Sequence, residues 1–339
     1  MDYSKILDKY ENSVVLITGG AGCIGSNLVR ILLSGSPRKV IVLDDFSSSY
    51  LWNLPKDNRL DVVEGSILEE QKLKQVFYER PDFVFHLAAH FANQNSIDHP
   101  ETDLMVNGLG HLRIMEYARL TEPQRVFFAG SGCSVYGSHA PIPFKETMVS
   151  LTLDTPYQIH KLLGELYCNH YHETYDLKTT NGRFFNVFGP GEVPGPYRNV
   201  IPIFTWRAMH EKPLLITGTG DETRDFAYVG DVVNGILRMG VFEKAVGEAI
   251  NLASGKETSI KELATLINEI TGNPAGIEYR PKRSWDKSNR RLASIAKAKE
   301  LIGYEPQMEF KQGLKNVHGW LKSYKSNIVE SIGPSAGLW

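Results

Sequence analysis

The chain has 339 residues, 42% of them hydrophobic, and its 37 Lys and Arg against 39 Asp and Glu leave a formal net charge of −2. That length can bury a large core and predicts two lobes sharing one site. A near-neutral balance without long like-charge blocks argues against nucleic acid or an anionic membrane as the main partner and favours small molecules. Cys23, Cys133 and Cys168 are odd in number and show no metal-ligand or redox spacing, so no disulfide frame and no metal site is expected, and the reading is a reducing, cytoplasmic protein. The N-terminal MDYSKILDKYENS lacks an apolar signal core and no run reaches about 18 apolar residues, so no membrane association is expected.

In chain order, the apolar run SVVLIT is followed by helical spacing over 23–33, then by KVIVLD and LDVVEG. A second helical stretch over 69–79 leads to DFVFHLAA, a third over 102–120 to RVFFAG, and a fourth over 156–175 to KTTNGRFFNVFG. Short, wholly apolar strands separated by amphipathic helices predict an α/β fold, a doubly wound parallel (Rossmann) sheet buried on both faces, with its ligand loops at the carboxyl ends of the strands. This half is expected over 1–188, with about 225–255 returning to it. From GPGEVPGPYRNVIP onward, 189–224 and 256–325 predict a smaller C-terminal α/β substrate lobe, and SNIVESIGPSAGLW, 326–339, has no periodicity and reads as a loosely held tail.

Directly after the first strand, TGGAGCIG places Gly19, Gly22 and Gly25 at the mouth of a helix. Such glycines let the backbone turn tightly and approach a pyrophosphate, whose charge the helix N-terminus then holds. The second strand ends in VLDDFSSS, so Asp44 falls close to the roughly 20-residue offset of a ribose-binding acid. A carboxylate there accepts from ribose hydroxyls and repels a 2′-phosphate, which favours NAD over NADP; the plainer alternative is that Asp44 and Asp45 only cap a loop. Tyr157 and Lys161 in YQIHK are spaced to share a helix face, where the lysine charge favours the phenolate and makes a general base for a hydroxyl whose carbon loses hydride.

Taken together and in order, TGGAGCIG, LDDFSSS, HLAAH, NSIDHP, NGLGHLRIMEYAR, SVYG, YQIHK, RFFNVFGPG and TGTGDETRDFAYVGDVV resemble the extended short-chain dehydrogenases/reductases that act on nucleotide-sugars, the NAD-dependent epimerase/dehydratase group, from about Val14 to Pro306. The resemblance implies that Gly19, Gly22, Cys23, Ile24 and Gly25 hold the cofactor with Asp44, Asp45, Phe46, Ser47 and Ser48. It adds Leu87, Ala88 and Ala89 beside the cofactor, Asn107 next to it, and Phe184 and the pair Tyr157 and Lys161 at its reactive end. Ser66 and Ile67 stand where the family usually has Asp-Ile or Asp-Leu near the adenine, and His160 stands where it usually has Ser or Thr. Asn186, Val200, Arg224 and Arg291 match substrate positions, Arg224 and Arg291 at the diphosphate or ribose; arginine suits a diphosphate because one guanidinium makes two charge-assisted hydrogen bonds. Alternatively, Arg224 serves only as the ion-pair partner of Asp225. The resemblance also implies a homodimer built on the helices over 102–120 and 156–175.

One position breaks the pattern: Gly132 in GSGCSVYG stands where the family carries a catalytic Ser or Thr. On a strand Ser134 would point to the same side as residue 132 and Ser131 away from it, so Ser134 is the expected catalytic substitute. The family's dehydratases carry Asp-Glu, and its decarboxylating members a Glu, in the slots filled here by Cys133 and Ser134, so the resemblance argues against both reactions. It favours an epimerase working through a 4-keto sugar, with a nucleotide-sugar 4-dehydrogenase as the alternative and a catalytically inactive sensor as the third reading.

Overall fold

The computed structural model describes residues 3–283 and 286–333. Its strands are β1 (Val14–Thr18), β2 (Lys39–Asp44), β3 (Leu60–Glu64), β4 (Phe83–His86), β5 (Arg125–Ser131), β6 (Thr179–Phe184), β7 (Leu214–Thr217), β8 (Thr223–Asp225), β9 (Ala249–Leu252), β10 (Glu257–Ser259) and β11 (Ile277–Arg280). Seven of them form one sheet in the order β3-β2-β1-β4-β5-β6-β9, every neighbouring pair parallel. The order reverses between β1 and β4, which opens a crevice at their carboxyl ends where ligands of such sheets bind.

The strand sequences explain the two-sided burial. Along β1, side chains alternate. Val15 and Ile17 join Leu28, Val29 and Leu32 of the Cys23–Ser34 helix and Val232 and Ile236 of the Val229–Val241 helix in one core. Val14 and Leu16 face the opposite way into a second core with Leu73, Val76, Ile114 and Met115. The return of the chain after residue 225 is visible in that first core and in β9, which pairs with β6.

Three helical segments, Pro100–Asp103, Leu104–Gly110 and His111–Thr121, run on from one another where one helix is predicted, the middle one wound as a π-helix. Such widened turns concentrate at functional sites. A separate core holds Trp206, Leu214, Ile216, Leu263 and Leu314 of the C-terminal half, flanked by the parallel pair β7 and β11. No helix among the described residues is long and apolar enough to cross a membrane.

The expected loose tail is corrected over its first part: Lys325–Ile332 is a helix, and Ile328 is fully buried in the C-terminal core. Ser331 Oγ accepts the Trp52 indole N–H at 2.9 Å, and Trp52 stacks on Tyr324 and Trp320. A single turn of apolar residues gives too weak a periodic signal to read, and its partners lie far back in the chain. Residues 334–339 lie outside the described residues.

Candidate active site

Two of the three predicted glycines are required by close approach. A Cβ on Gly25 would lie 2.3 Å from Gly19 O, and one on Gly19, whose φ is +70°, would lie 2.7 Å from the Ala88 nitrogen. A Cβ on Gly22 would meet only Gly19 O at 3.4 Å. Gly22 is the N-cap of the Cys23–Ser34 helix, and no side chain caps that terminus. Space above Gly22 and uncapped N–H groups behind it are what a pyrophosphate needs, so the residues fit NAD.

Asp44, at the end of β2, is buried and ties the glycine loop to the following turn. Its oxygens accept from Ala21 N at 2.9 Å, Phe46 N at 3.0 Å and Ser49 Oγ at 2.7 Å. That uses three of roughly four lone-pair sites and leaves capacity for a ribose hydroxyl. Asp45 does cap the loop: its Oδ1 accepts from both Ser47 N and Ser47 Oγ. Phe46 takes φ +53°, and Ser48 O accepts from Arg198 of the facing loop. Cys23 sits against Pro190 O at 3.6 Å, its thiol pushed up by burial and then by the Glu192 carboxyl, while Ile24 packs on the first core.

The remaining cofactor positions divide. Leu87, Ala88 and Ala89 follow β4, half-buried at the crevice, with Leu87 N bonded to Thr18 O and Ala88 N to Thr18 Oγ1. Phe184 stacks on Phe127. Ser66 N donates to Glu69 Oε1 and Ser66 Oγ accepts from Leu68 N, so this serine organises a helix start. The Ile67 side chain is buried in the second core, and Asn107 spends its amide on His90 N, His90 O and Asp103 Oδ1. Asn107 thereby shapes the loop after β4.

Tyr157 and Lys161 do share a face of the Pro156–Tyr175 helix and both are buried, Tyr157 at 7% and Lys161 at 4% exposure. Thr155 caps that helix by accepting from Gln158 N, and Pro156 fills the first position, so the sequence itself starts the helix just before the pair. Lys161 Nζ donates to Ala129 O at 2.9 Å and lies 5.6 Å from the Tyr157 ring centroid. Two of its three protons are left for ligand oxygens. Burial lowers the Lys161 ammonium to about 8, against the opposing pull of Asp103 and Glu165. Burial raises the Tyr157 phenol above its ordinary value, followed by the charges of Asp103 and Cys133. Among the described residues the Tyr157 hydroxyl bonds no protein group, so it is free for a substrate.

The gap at residue 132 has a physical occupant. A Cβ on Gly132 would lie 1.9 Å from Phe185 Cε2 and 2.3 Å from its Cζ; the ring of this fully buried phenylalanine fills the place. The expectation for Ser134 is corrected in its geometry: β5 ends at Ser131 and Gly132–Val135 is a helical turn. On a turn, residues three apart share a face, so Ser131 and Ser134 come together and Ser134 Oγ donates to Ser131 Oγ at 2.8 Å.

In the C-terminal half, Arg224 and Arg291 are both buried and both face Asp286, Arg224 Nη2 at 2.8 Å and Arg291 Nη2 at 3.5 Å. Burial, then the Arg291 charge, lowers the Arg224 guanidinium from its usual value. Two buried cations on one carboxylate make a site that can take a further anion. The alternative pairing of Arg224 with Asp225 does not occur, because Asp225 accepts from Ser254 N, Ser254 Oγ, Gly255 N and Ala293 N. Arg290 points out to Glu257 at the surface. Asn186, with φ +32°, accepts from Cys133 Sγ at 3.2 Å, and Val200 begins the Val200–Met209 helix beside the C-terminal core. Sequence reasoning missed Asp286 and Asp103, which lie in no quoted motif, and Phe185, which lies in RFFNVFGPG but shows its role only through its contact with Gly132.

The chain was compared with known proteins. A UDP-glucose 4-epimerase of Mycolicibacterium smegmatis is 35% identical over 302 residues, 88% of this chain and 95% of that protein. Among solved structures, the epimerase Mth375 of Methanothermobacter thermautotrophicus superposes with a TM-score of 0.95 at 53% identity, covering 98% of this chain and 99% of its own. The Bordetella bronchiseptica enzyme WbmF, solved with NAD+ and UDP, gives 0.82 at 35% identity, covering 95% and 96%. With the family profile matching residues 15–253 on top of the glycine cradle and the buried Tyr157 and Lys161, the chain belongs to the NAD dependent epimerase/dehydratase family.

Proposed function

We propose that this enzyme is a UDP-sugar 4-epimerase. The observation that carries the reading is a buried Tyr157 with a free hydroxyl sharing a helix face with Lys161, together with the buried Arg224 and Arg291 on Asp286, and its UDP-sugar relatives support it. The glycine loop and Asp44 would hold NAD⁺, which when bound would supply the hydride acceptor and later the hydride donor for the sugar carbon. Tyr157 takes the proton of the C4 hydroxyl as that carbon loses hydride, and the sugar becomes a 4-ketone. Lys161 steadies the phenolate. Arg224 and Arg291 keep the diphosphate in place while the keto sugar turns over. Tyr157 would then return its proton to the C4 oxygen as that carbon regains hydride on its other face, which restores the oxidation state of the sugar.

A second reading, a 4-dehydrogenase that stops at the ketone, draws on Phe185, which denies residue 132 any side chain and so changes how the ketone is held. The experiment that separates the two is to denature freshly purified protein and quantify NAD⁺ and NADH released per subunit. The epimerase reading expects retained cofactor that is mostly NAD⁺, together with conversion of UDP-glucose. Retained NADH would overturn it in favour of the dehydrogenase. An empty site would overturn an internal redox cycle.

The same proposal includes a homodimer. Ile159 and Leu166 on the Pro156–Tyr175 helix and Leu104 and Met105 on the neighbouring segment are exposed apolar side chains, 44–56% accessible, on the two elements expected to pair. Leu166→Glu is expected to convert a dimer to a monomer in sedimentation equilibrium; a wild-type monomer would refute the dimer outright. A cytoplasmic location belongs to this reading too, supported by three free thiols.

A further inference from the structure

The helix that carries Tyr157 and Lys161 brings a third side chain inward. His160 Nδ1 lies 2.5 Å from Oδ2 of Asp103, the last residue of Pro100–Asp103. Asp103 has no solvent exposure. Its Oδ1 accepts Asn107 Nδ2 at 2.9 Å and faces His90 Nδ1 at 3.3 Å. Among the described residues neither Lys nor Arg pairs with it. A carboxylate can only accept, so His160 presents a protonated Nδ1 to it. Burying a carboxylate among two imidazoles and an amide is costly unless its charge is shared with those donors.

That carboxylate is tied to the helix of the reacting groups, because its partner His160 stands between Tyr157 and Lys161 on Pro156–Tyr175. The charged and titratable groups that act on Tyr157 are Asp103 and Cys133, with Lys161 Nζ 5.6 Å from its ring centroid; those that act on Lys161 are Asp103 and Glu165, and Lys161 in turn acts on His86 and His111. Negative charge at Asp103 opposes ionisation of the phenol and favours the ammonium, in agreement with the direction in which it moves both groups. We propose that Asp103 and His160 form a positioning pair that sets how much negative charge faces Tyr157. His160 draws charge away from the carboxylate through its short hydrogen bond, and Asp103 returns the favour by fixing the ring. Neither touches the substrate. The pair explains why a histidine, with its directed Nδ1–H, stands between the tyrosine and the lysine where a small hydroxyl side chain would leave Asp103 with one donor fewer at that distance.

The inference rests on Tyr157 being the base of the proposed reaction, and its test reads the phenol directly. Ultraviolet difference titration of the NAD⁺-loaded protein, with the Tyr157→Phe variant as the blank, isolates the tyrosinate signal of Tyr157. In Asp103→Asn the transition is expected about one pH unit lower, and in His160→Ala about one unit higher. His160→Asn, whose amide nitrogen reaches where Nδ1 does, is expected to restore the wild-type position. Transitions that stay put, or that move the same way in Asp103→Asn and His160→Ala, overturn the proposal. Should Asp103→Asn fail to fold, the opposed responses of His160→Ala and His160→Asn still decide it. Failure of the wild type to convert UDP-glucose would count against the proposed function and leave this titration standing.

Discussion

Tyr157→Phe is expected to lower conversion of UDP-glucose by about 10²- to 10⁴-fold, the usual contribution of a positioned acid or base, without loss of fold or of bound cofactor. The ring keeps its edge-on contact with Phe91 at 6.0 Å and its place over Lys161. Only the hydroxyl goes, and among the described residues it holds nothing together. Steady-state kinetics with cofactor content measured on the same sample check this. A variant with full turnover would remove Tyr157 from the mechanism, and a variant with unchanged cellular function would favour the sensor reading. Lys161→Met should cost comparably, but for a mixed reason, since it also leaves Ala129 O without its donor.

Gly132→Ser, which restores the family's residue, is expected to damage the protein. The new Cβ would sit 1.9 Å from the Phe185 ring, and that ring is fully buried against the stacked pair Tyr136 and Phe144. Overpacking of this kind costs about 1–3 kcal/mol. Pairing it with Phe185→Leu should recover part of the loss, so the double-mutant cycle should show coupling between the two sites. Denaturant unfolding of the four proteins is the measurement; a Gly132→Ser variant as stable as the wild type would mean that Phe185 is not what excludes the side chain. Turnover is expected to fall rather than rise in Gly132→Ser, because Cys133 and Ser134 sit on the same short turn and shift with it, and Ser134 is bonded to Ser131 at its start.

These two positions also show where sequence reasoning reached its limit. Tyr157 and Lys161 were legible because helix periodicity alone puts them on one face and Thr155 and Pro156 start the helix. Gly132 was legible as a gap. What fills it was not, since Phe185 lies on the far side of a strand crossing and meets Gly132 only after β5 and β6 pair. The strand geometry used to prefer Ser134 over Ser131 failed for a local reason: it assumed that β5 continues past Ser131, and one turn of helix replaces period two by period 3.6.

By itself the sequence determined the order of the first six strands and the four helical stretches among them, the glycine turn after β1, the acid at the end of β2 and the helix face shared by Tyr157 and Lys161. Each of these follows from spacing along one segment, where backbone geometry translates sequence into direction. The tertiary structure alone decided which partner each charge takes. Arg224 bonds Asp286 and not its neighbour Asp225, Asp45 caps while Asp44 ties two loops, and Asp103 meets His160 from another helix. Such pairings depend on distances set by packing between segments far apart in the chain, and no local period encodes them.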